Sequence, residues 1–352
     1  MGETFTVTLQ PVGVEFEVEE GETVLDAAFR QGIALPHGCK EGQCSACKCH
    51  LADGEVELLK YSTFALNDSE REQGEILLCR TLAYSDMEVE LLNYDEELLS
   101  KSIAVKDYSG RITGIERLTH DIRRVEVELS APMKFWAGQY ADITVETKEG
   151  EKITRSFSMA NTPEQGEKLQ FIIKKYPEGR FSGELDGGGI DVGAAVSVRG
   201  PFGTCFRRED REGPMILVAA GSGMSPIWSI LHDHLASGER RPVHFFYGAR
   251  TQADLFYLDR VREITAGNGD VRFIPALSHA DDDATWKGAR GFVHEVVKSE
   301  LNALGIGGEG DVYACGPPPM IDALSPVLFM QDFDPDRIFF DRFTPSSGSS
   351  AH

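Results

Sequence analysis

Four of the seven cysteines of this 352-residue chain lie close together, at Cys39, Cys44, Cys47 and Cys49. Three of them have the spacing Cys39-x4-Cys44-x2-Cys47, and Cys79 follows alone after 31 intervening residues. This is the spacing with which four thiolates hold a [2Fe–2S] cluster. Small residues between the cysteines let backbone N–H groups approach the sulfur atoms closely. The sequence therefore predicts a [2Fe–2S] centre with Cys39, Cys44, Cys47 and Cys79 as its ligands.

Two other uses of the cysteines are weaker interpretations. Zinc sites favour two pairs of closely spaced ligands, and only one such pair is present here. A disulfide framework is disfavoured because the N-terminal residues lack the basic and apolar regions of an export signal, and cytosolic thiols stay reduced. Cys49 lies two residues beyond the third ligand, and we expect it to be a small buried hydrophobe at the head of the next strand.

The segments around the cysteines predict a small mixed α/β domain. Residues 14–19 alternate apolar and acidic side chains, as in a half-buried strand, and residues 4–9 precede them as a hairpin partner. Residues 22–30 predict a short helix that Gly32 ends, and residues 88–91 predict a last strand. With its four ligands, this region resembles the plant-type ferredoxins over residues 1 to about 95. The resemblance implies a β-grasp fold.

Charge restricts the partners of the chain. The formal net charge is −22 and the isoelectric point about 4.8, which argues against binding to nucleic acid or to an anionic membrane surface. No apolar run is long enough to predict a transmembrane helix. Residues 1–100 hold 21 acidic against 6 basic side chains. That bias indicates either a solvated face or a surface that docks on a basic patch of a partner.

A ferredoxin would end near residue 100, and the next 110 residues read mostly as strands with glycine-rich turns, which predicts an antiparallel barrel or sandwich. Two stretches in this region carry groups that could bind a cofactor. Residues 155–158 place a cation and two hydroxyls beside an aromatic ring, and residues 179–183 read as a turn that opens a helix, where free N–H groups suit a phosphate. Together with residues 199–203, in the same order, they resemble the flavin domain of ferredoxin–NADP reductase-like proteins.

The pattern changes to β-α-β from Pro214 onward. A continuous apolar strand, residues 215–220, is followed by Gly221-Ser222-Gly223-Met224-Ser225-Pro226, which opens a helix, and a second strand covers residues 243–248. Pro226 replaces the third glycine of the dehydrogenase fingerprint, and no acid ends the second strand. Both departures, and the Cys-Gly-Pro-x-x-Met segment that begins at Cys315, match the same reductase family.

That resemblance implies roles for particular residues. It places the flavin pyrophosphate on Arg155 and on residues 179–182, the flavin N5 beside Ser158, the nicotinamide beside Cys315, and the C-terminal aromatic Phe343 over the flavin ring. We expect the catalytic residues to be Ser158 and Cys315. The implied cofactor-binding set is Arg155, Ser156, Phe157, Ser158, Gly179, Arg180, Phe181, Ser182, Gly221, Gly223, Ser225, Pro226, Arg250, Cys315, Gly316, Pro317 and Phe343.

Nearly the whole chain, residues 1–343, resembles the NADH-dependent reductase components of bacterial multicomponent oxygenases. Residues 247–251 and 255–258 are most similar to reductases of soluble di-iron monooxygenases, and the propane monooxygenase subtype in particular. The N-terminal position of the cluster domain implies FAD rather than FMN. The resemblance implies hydride transfer from NADH to FAD, and then single electrons through the cluster to a hydroxylase. Arg250 could accept the 2′-phosphate of NADPH or be a surface arginine, and the family resemblance favours NADH.

Three other functions stay open at this point. The first is the reductase of a Rieske-type aromatic-ring dioxygenase, which shares the domain order. The second is a non-enzymatic electron carrier, which would have no use for the flavin and nicotinamide motifs. The third, a reductase for a sugar-deoxygenating enzyme, is a more remote alternative. We expect a cytoplasmic monomer that docks on its oxygenase through the acidic domain. The expected organisation is a [2Fe–2S] ferredoxin domain at 1–97, an FAD-binding β-barrel at 98–210, a doubly wound parallel α/β nicotinamide domain at 211–343 and a disordered tail at 344–352.

Overall fold

The computed structural model describes residues 2–92, 94, 96–280 and 285–343. The chain forms two compact units, of which the first contains residues 1–106 and 200–204 and the second contains the other residues. The expected tail at 344–352 lies outside the described residues. Among the helices that the structure describes, none has the length and apolar character needed to cross a bilayer.

The first unit contains a mixed five-stranded sheet and short helices. Its elements are β1 (Thr4–Gln10), β2 (Val14–Glu19), α1 (Val24–Arg30), β3 (Lys48–Asp53), β4 (Val56–Leu58), α2 (Asp68–Glu72), β5 (Glu75–Leu77), β6 (Thr81–Ala83), β7 (Met87–Glu90) and α3 (Glu96–Ser100). The strand order is β2-β1-β7-β3-β5, with β4 and β6 in a separate pair. Strand β1 is antiparallel to β2 and parallel to β7, as in the β-grasp fold that was expected.

Helix α1 begins directly after Thr23, which caps it. The Thr23 hydroxyl accepts a hydrogen bond from the Asp26 N–H at 3.2 Å, which satisfies one of the free donors of the first turn. The helix buries Val24, Leu25 and Phe29. Because the apolar residues of β1 and β2 are buried as well, the helix and the sheet share one core.

The second unit begins with an antiparallel sheet that curls into a half-barrel. Its elements are β8 (Lys106–Arg117), β9 (Ile122–Leu129), β10 (Tyr140–Glu146), β11 (Lys152–Ser158), β12 (Lys168–Lys174), α4 (Arg180–Gly187) and β13 (Ala195–Phe202), of which Lys106 and residues 200–202 fall in the first unit. The strand order is β11-β10-β13-β8-β9-β12. A bridge between Met159 and Phe171 joins the chain just after β11 to β12, the opposite edge of the sheet. The barrel interpretation of the sequence is therefore confirmed.

The rest of the second unit is a six-stranded parallel sheet. Its elements are β14 (Met215–Ala220), α5 (Met224–Ser237), β15 (Val243–Ala249), α6 (Leu258–Gly267), β16 (Val271–Leu277), β17 (Ala289–Arg290), α7 (Val293–Leu304), β18 (Asp311–Gly316), α8 (Pro318–Phe329) and β19 (Ile338–Arg342). The strand order is β17-β16-β15-β14-β18-β19. Helix α5 begins at Met224, three residues earlier than the sequence indicates.

Both faces of the parallel sheet are covered. Along β14, Met215 and Leu217 pack in one core with α5 and α6, whereas Ile216 and Val218 pack in another with α7 and α8. This explains why the strand is a continuous apolar run and confirms the doubly wound α/β prediction. The strand order reverses direction at β14, whose neighbours are β15 and β18, and ligands of such sheets bind at the carboxyl ends of strands beside this point.

Candidate functional site

The cluster loop directs backbone N–H groups at sulfur. The Cys39 Sγ lies 3.4 Å from the Glu41 nitrogen and 3.2 Å from the Gln43 nitrogen, and the Cys39 N–H donates to the Cys44 Sγ at 3.4 Å. A hydrogen bond from the Cys44 thiol, together with these amides, lowers the pKa of Cys39 to about 5. Such donors stabilise thiolates, which are the form that binds iron.

The other two predicted ligands lie against each other. Cys47 and Cys79 are buried, with their Sγ atoms 3.3 Å apart, although 31 residues separate them in the sequence. A Cβ atom built on Gly38 would lie 3.1 Å from the Cys44 Sγ, so the loop has little room for a larger residue. Four thiols with amide donors around them fit a [2Fe–2S] cluster, which these residues would hold.

Cys49 has the structural position that the sequence predicts. It is the second residue of β3 and is 3% exposed. Burial raises its pKa to about 12, so it remains a neutral thiol at physiological pH.

The two predicted pyrophosphate segments meet through an aromatic contact. The Phe157 ring on β11 lies 4.9 Å from the Phe181 ring on α4. Gly179 precedes α4, and a Cβ there would lie 2.4 Å from the Ser182 Oγ, so a larger residue would force the Ser182 hydroxyl to move. Arg180 forms an ion pair with Glu151. The free N–H groups at the start of α4 therefore lie beside the motif on β11, which suits a phosphate group.

Residues 155–158 do not all point the same way. Strand alternation places Arg155 and Phe157 on one face of β11, and Ser156 and Ser158 on the other. Arg155 is half-buried, and its Nη1 donates to the Thr154 carbonyl at 2.7 Å. The exposed Ser156 donates to an Asp142 carboxylate oxygen at 2.6 Å. Ser158 is 4% exposed and faces the interior of the unit.

Ser158 is the meeting point of three elements. Its carbonyl accepts a hydrogen bond at 2.6 Å from the hydroxyl of Ser225 on α5, and the same hydroxyl lies 3.3 Å from the Ile172 nitrogen of β12. Its own hydroxyl is 3.5 Å from an Asp341 carboxylate oxygen on β19. Ser225 is fully buried, so in this geometry its hydroxyl positions Ser158.

Asp341 is a functional candidate that sequence reasoning missed. The family resemblance at residues 339–343 rests on their aromatic side chains, and it selects Phe343 as the residue that covers the flavin ring. Asp341 pairs in register with Cys315 and reaches Ser158, the two predicted catalytic residues. Burial raises the pKa of Asp341 to about 6, against the hydrogen bond from Ser158, which lowers it. A carboxyl group can therefore change charge near neutral pH beside both residues.

Replacing Asp341 by Asn should change how stability depends on pH. The pKa in the folded chain is above the ordinary value near 4, so the ionised carboxylate opposes folding above pH 6 and this penalty fades as pH falls. Asp341→Asn should therefore raise the free energy of unfolding relative to wild type, and by about 1 kcal/mol more at pH 8 than at pH 5. Thermal unfolding of the holoprotein at the two pH values measures this difference. The exposed Asp191→Asn is the control. An equal gain at both pH values would contradict the raised pKa.

The glycine loop after β14 touches the end of β18. A Cβ on Gly223 would lie 1.9 Å from the Cys315 carbonyl oxygen, and Gly221 has a φ of +56°, which favours glycine. The Lys174 Nζ lies 3.8 Å from the position of a Gly221 Cβ, so a cation lies beside the loop. Pro226 is buried within the first turn of α5. This close approach of two backbones lies at the strand-order reversal, where the ligand crevice of doubly wound sheets is found.

Cys315 lies at the floor of this crevice. It is fully buried, its Sγ is 3.8 Å from the Sγ of Cys205, and burial raises its pKa well above the ordinary value. The Phe343 N–H donates to the Gly316 carbonyl at 2.9 Å, so the C-terminal aromatic lies next to the Cys315-Gly316-Pro317 segment. The structure thus brings Ser158, Cys315 and Phe343 into one region.

Arg250 is held by two carboxylates. Its Nη2 lies 3.0 Å from an Asp254 oxygen and 3.9 Å from an Asp121 oxygen. No acid ends β15 in the sequence, but a 3-10 turn at Gln252–Asp254 brings Asp254 back to that strand end. Burial alone would raise the pKa of Asp254, but hydrogen bonds from Arg250 and Thr251 lower it. Asp254 is therefore a charged partner of Arg250, and sequence reasoning did not find it.

Removing the Asp254 charge should make NADPH a better substrate. In Asp254→Asn the Arg250 guanidinium loses its nearest carboxylate and can pair with a 2′-phosphate. We expect kcat/KM for NADPH to rise about 10-fold, with a smaller change for NADH. Steady-state reduction of ferricyanide with each nucleotide measures both. Asp259→Asn, an exposed acid paired with Arg262, is the control. An unchanged NADPH to NADH ratio would show that Arg250 has no part in the discrimination.

Comparison with protein families matches three consecutive regions. The family of 2Fe-2S iron-sulfur cluster binding domains matches residues 7–84, the oxidoreductase FAD-binding domain matches residues 109–206, and the oxidoreductase NAD-binding domain matches residues 217–325. The cluster loop, the half-barrel and the parallel sheet each fall in the region expected for that cofactor.

Full-length relatives share this arrangement. The reductase component of propane 2-monooxygenase from Mycolicibacterium goodii is 42% identical over 98% of both chains. The reductase component of phenol 2-monooxygenase from a Pseudomonas species is 36% identical over 97% of this chain and 94% of its own. Among solved structures, an Amycolatopsis cytochrome P450 reductase has a TM-score of 0.84 at 29% identity, with 97% of this chain and 100% of its own chain covered.

Proposed function

The chain belongs to the reductase components of bacterial multicomponent monooxygenases, and on that basis we propose that its partner is a soluble di-iron hydroxylase that acts on propane or a similar small hydrocarbon. The observation that carries the proposal is the full-length similarity to the propane 2-monooxygenase reductase component, which is stronger than the similarity to the phenol enzyme. It is also stronger than the 31% identity to a toluate 1,2-dioxygenase electron transfer component, which represents the Rieske-type alternative.

The chain is an NADH-dependent oxidoreductase that uses FAD and a [2Fe–2S] cluster. When bound, FAD would supply two-electron acceptance from NADH, and the cluster would supply one-electron transfer to a protein partner. The residues of the chain hold and orient these groups. We assign the four thiolates to Cys39, Cys44, Cys47 and Cys79, the flavin phosphates to Arg155 and to the Gly179–Ser182 turn, and the flavin ring to Phe157 and Phe343.

The residues around Ser158 control the geometry of hydride transfer in this proposal. Ser225 fixes the Ser158 backbone, and the Ser158 hydroxyl and Asp341 form a polar pair beside Cys315. Gly223 leaves room for the close approach of the Cys315 carbonyl. In this proposal the nucleotide binds at the carboxyl ends of β14 and β18, with Gly221, Gly223, Ser225, Pro226, Gly316 and Pro317 around it. Cys315 is a neutral thiol that packs beside the nicotinamide, so it excludes water there without adding charge.

We further propose the domain boundaries 1–97, 98–210 and 211–343, a monomeric state, and docking of the oxygenase on the acidic first unit. The three cysteines outside the proposed ligand set, Cys49, Cys205 and Cys315, are free thiols, and this supports a reducing compartment, the cytoplasm. The excess of acidic side chains in residues 1–100 would attract a basic patch and speed encounter at low ionic strength.

The test of the partner is a reconstitution. The purified chain and NADH are mixed with the remaining components of the propane 2-monooxygenase of Mycolicibacterium smegmatis, whose reductase component is 42% identical to this chain. We expect propane hydroxylation. The parallel reaction uses the oxygenase component of the Pseudomonas putida toluate 1,2-dioxygenase. Turnover of toluate without turnover of propane would overturn the di-iron proposal in favour of the Rieske-type one.

A further inference from the structure

Phe64 is the most exposed large hydrophobic residue among those that the structure describes. It is 98% exposed, and the next in rank, Phe329, is 77% exposed. A single exposed hydrophobe is ordinary on a protein surface, so exposure alone indicates nothing. What distinguishes Phe64 is the segment that carries it.

The turn that carries Phe64 is held in one conformation. The Phe64 N–H donates to the Ser62 hydroxyl at 3.3 Å, and the N–H groups of Ala65 and Leu66 donate to the Ser62 carbonyl at 2.9 and 3.2 Å. The next two side chains, Ala65 and Leu66, are each only 1% exposed. The chain is therefore fixed on both sides of an aromatic ring that projects into solvent, and binding the ring would cost little conformational entropy.

The same turn is attached to both segments that carry the cluster ligands. The Ser62 N–H donates to the carbonyl of Gly42, between Cys39 and Cys44, at 2.9 Å. On the other side, Arg80, next to Cys79, accepts from the Leu59 N–H at 2.7 Å and donates from its Nε to the Lys60 carbonyl at 2.8 Å. A partner that covers Phe64 would thus lie against the loop from which electrons leave.

Phe64 belongs to a strongly acidic stretch, since residues 1–100 hold 21 acidic against 6 basic side chains. Close to Phe64 in the sequence, Asp68 and Glu72 of α2 are exposed, as are Lys60 and Arg71, and Glu41 is exposed in the cluster loop. Glu70 is neutralised by Lys48 at 2.7 Å. An exposed aromatic residue with charged residues near it, on a unit of net negative charge, matches the usual anatomy of an interface, in which an apolar centre is surrounded by polar and charged residues.

We propose that Phe64 is the anchor by which the oxygenase component docks, inserting into an apolar pocket of that component that lysine and arginine side chains surround. This inference rests on the proposed function and deepens it, since it names the residue and the chemistry of the contact. Phe64 acts in binding only and has no role in the transfer of electrons within the chain.

The experiment compares Phe64→Ser with Phe329→Ser, which removes a similarly exposed phenylalanine from the end of α8 in the other unit. Propane hydroxylation is measured with the remaining components of the Mycolicibacterium smegmatis enzyme while the concentration of this reductase is varied. We expect Phe64→Ser to raise the apparent KM for the reductase at least about 10-fold, in line with loss of a central aromatic anchor. Phe64→Tyr, which keeps the ring, should restore most of the affinity.

Each outcome separates the two proposals. NADH-to-ferricyanide turnover and the cluster spectrum should be unchanged in all variants, because neither needs the partner. A Phe64→Ser variant that serves the hydroxylase as well as wild type does would overturn the docking inference and leave the proposed function standing. If wild type itself supports no propane hydroxylation while reducing ferricyanide normally, the proposed partner is wrong and the docking inference falls with it.

Discussion

Cys79→Ala is expected to abolish electron transfer to one-electron protein acceptors such as cytochrome c and to leave NADH-to-ferricyanide turnover near wild type. Cys79 is buried against Cys47, and no other thiol among the described residues is placed to substitute for it. With three ligands the cluster is not retained, because a cluster of this kind needs four thiolates. We expect reduction of cytochrome c to fall about 100-fold or more, since the cluster is the only outlet for single electrons to a protein.

The matched control for this variant is Cys49→Ala. Cys49 is equally buried in the same unit, but it lies on β3 outside the ligand set. Visible absorption and iron analysis should show a full cluster in Cys49→Ala and none in Cys79→Ala, with flavin bound in both. If ferricyanide and cytochrome c turnover fell equally in Cys79→Ala with flavin still bound, the serial order of the carriers would be wrong.

Gly223→Ala should lose most of its activity with NADH. The added Cβ would lie 1.9 Å from the oxygen and 2.4 Å from the carbon of the Cys315 carbonyl, and these are backbone atoms that cannot rotate away. The loop after β14 must therefore move away from β18, which displaces both walls of the nucleotide crevice. A shift of about 1 Å at a site that positions reactants can cost about 100-fold, so we expect kcat/KM for NADH to fall by that factor.

Gly267→Ala is the control for this variant, because Gly267 ends α6 of the same sheet domain and a Cβ there meets nothing within 4 Å. Rapid reduction by NADH measures the effect, and reduction by dithionite reports whether the cofactors are still bound. Equal rates with dithionite but not with NADH would place the defect in nucleotide binding. A Gly223→Ala variant with wild-type kcat/KM would show that the two backbones can separate without cost.

Local patterns in the sequence predicted much of the architecture. Four cysteines at a defined spacing indicate a cluster. Their neighbours Gly38 and Gly42 have little space around them, since the Cys44 sulfur lies beside Gly38, and Arg80 and Tyr61 lie beside Gly42. The apolar run at residues 215–220 and the glycines that follow predict a buried parallel strand with a nucleotide turn, and both are present. Signals of this kind depend on residues a few positions apart.

The rest of the site depends on pairings between distant parts of the chain. Asp341 reaches Ser158 across 183 positions, because β19 lies beside β18 at the edge of the parallel sheet. Asp254 reaches Arg250 because a short turn reverses the chain after β15. Asp254 belongs to no recognisable motif, and the motif that contains Asp341 is defined by its aromatic residues. The sequence analysis therefore selected their neighbours Arg250 and Phe343 instead. Only the folded geometry shows which charges those neighbours meet.

The burial of the neighbouring residues Cys205 and Cys315 affects how readily oxidants can damage them. Hydrogen peroxide attacks the thiolate form of cysteine, and burial keeps Cys315 in its protonated thiol form. Its neighbour Cys205 is 5% exposed, so oxidants have little direct access to either sulfur. In the proposed site Cys315 is the sulfur beside the nicotinamide, so the fold would protect this residue from oxidative damage during repeated turnover.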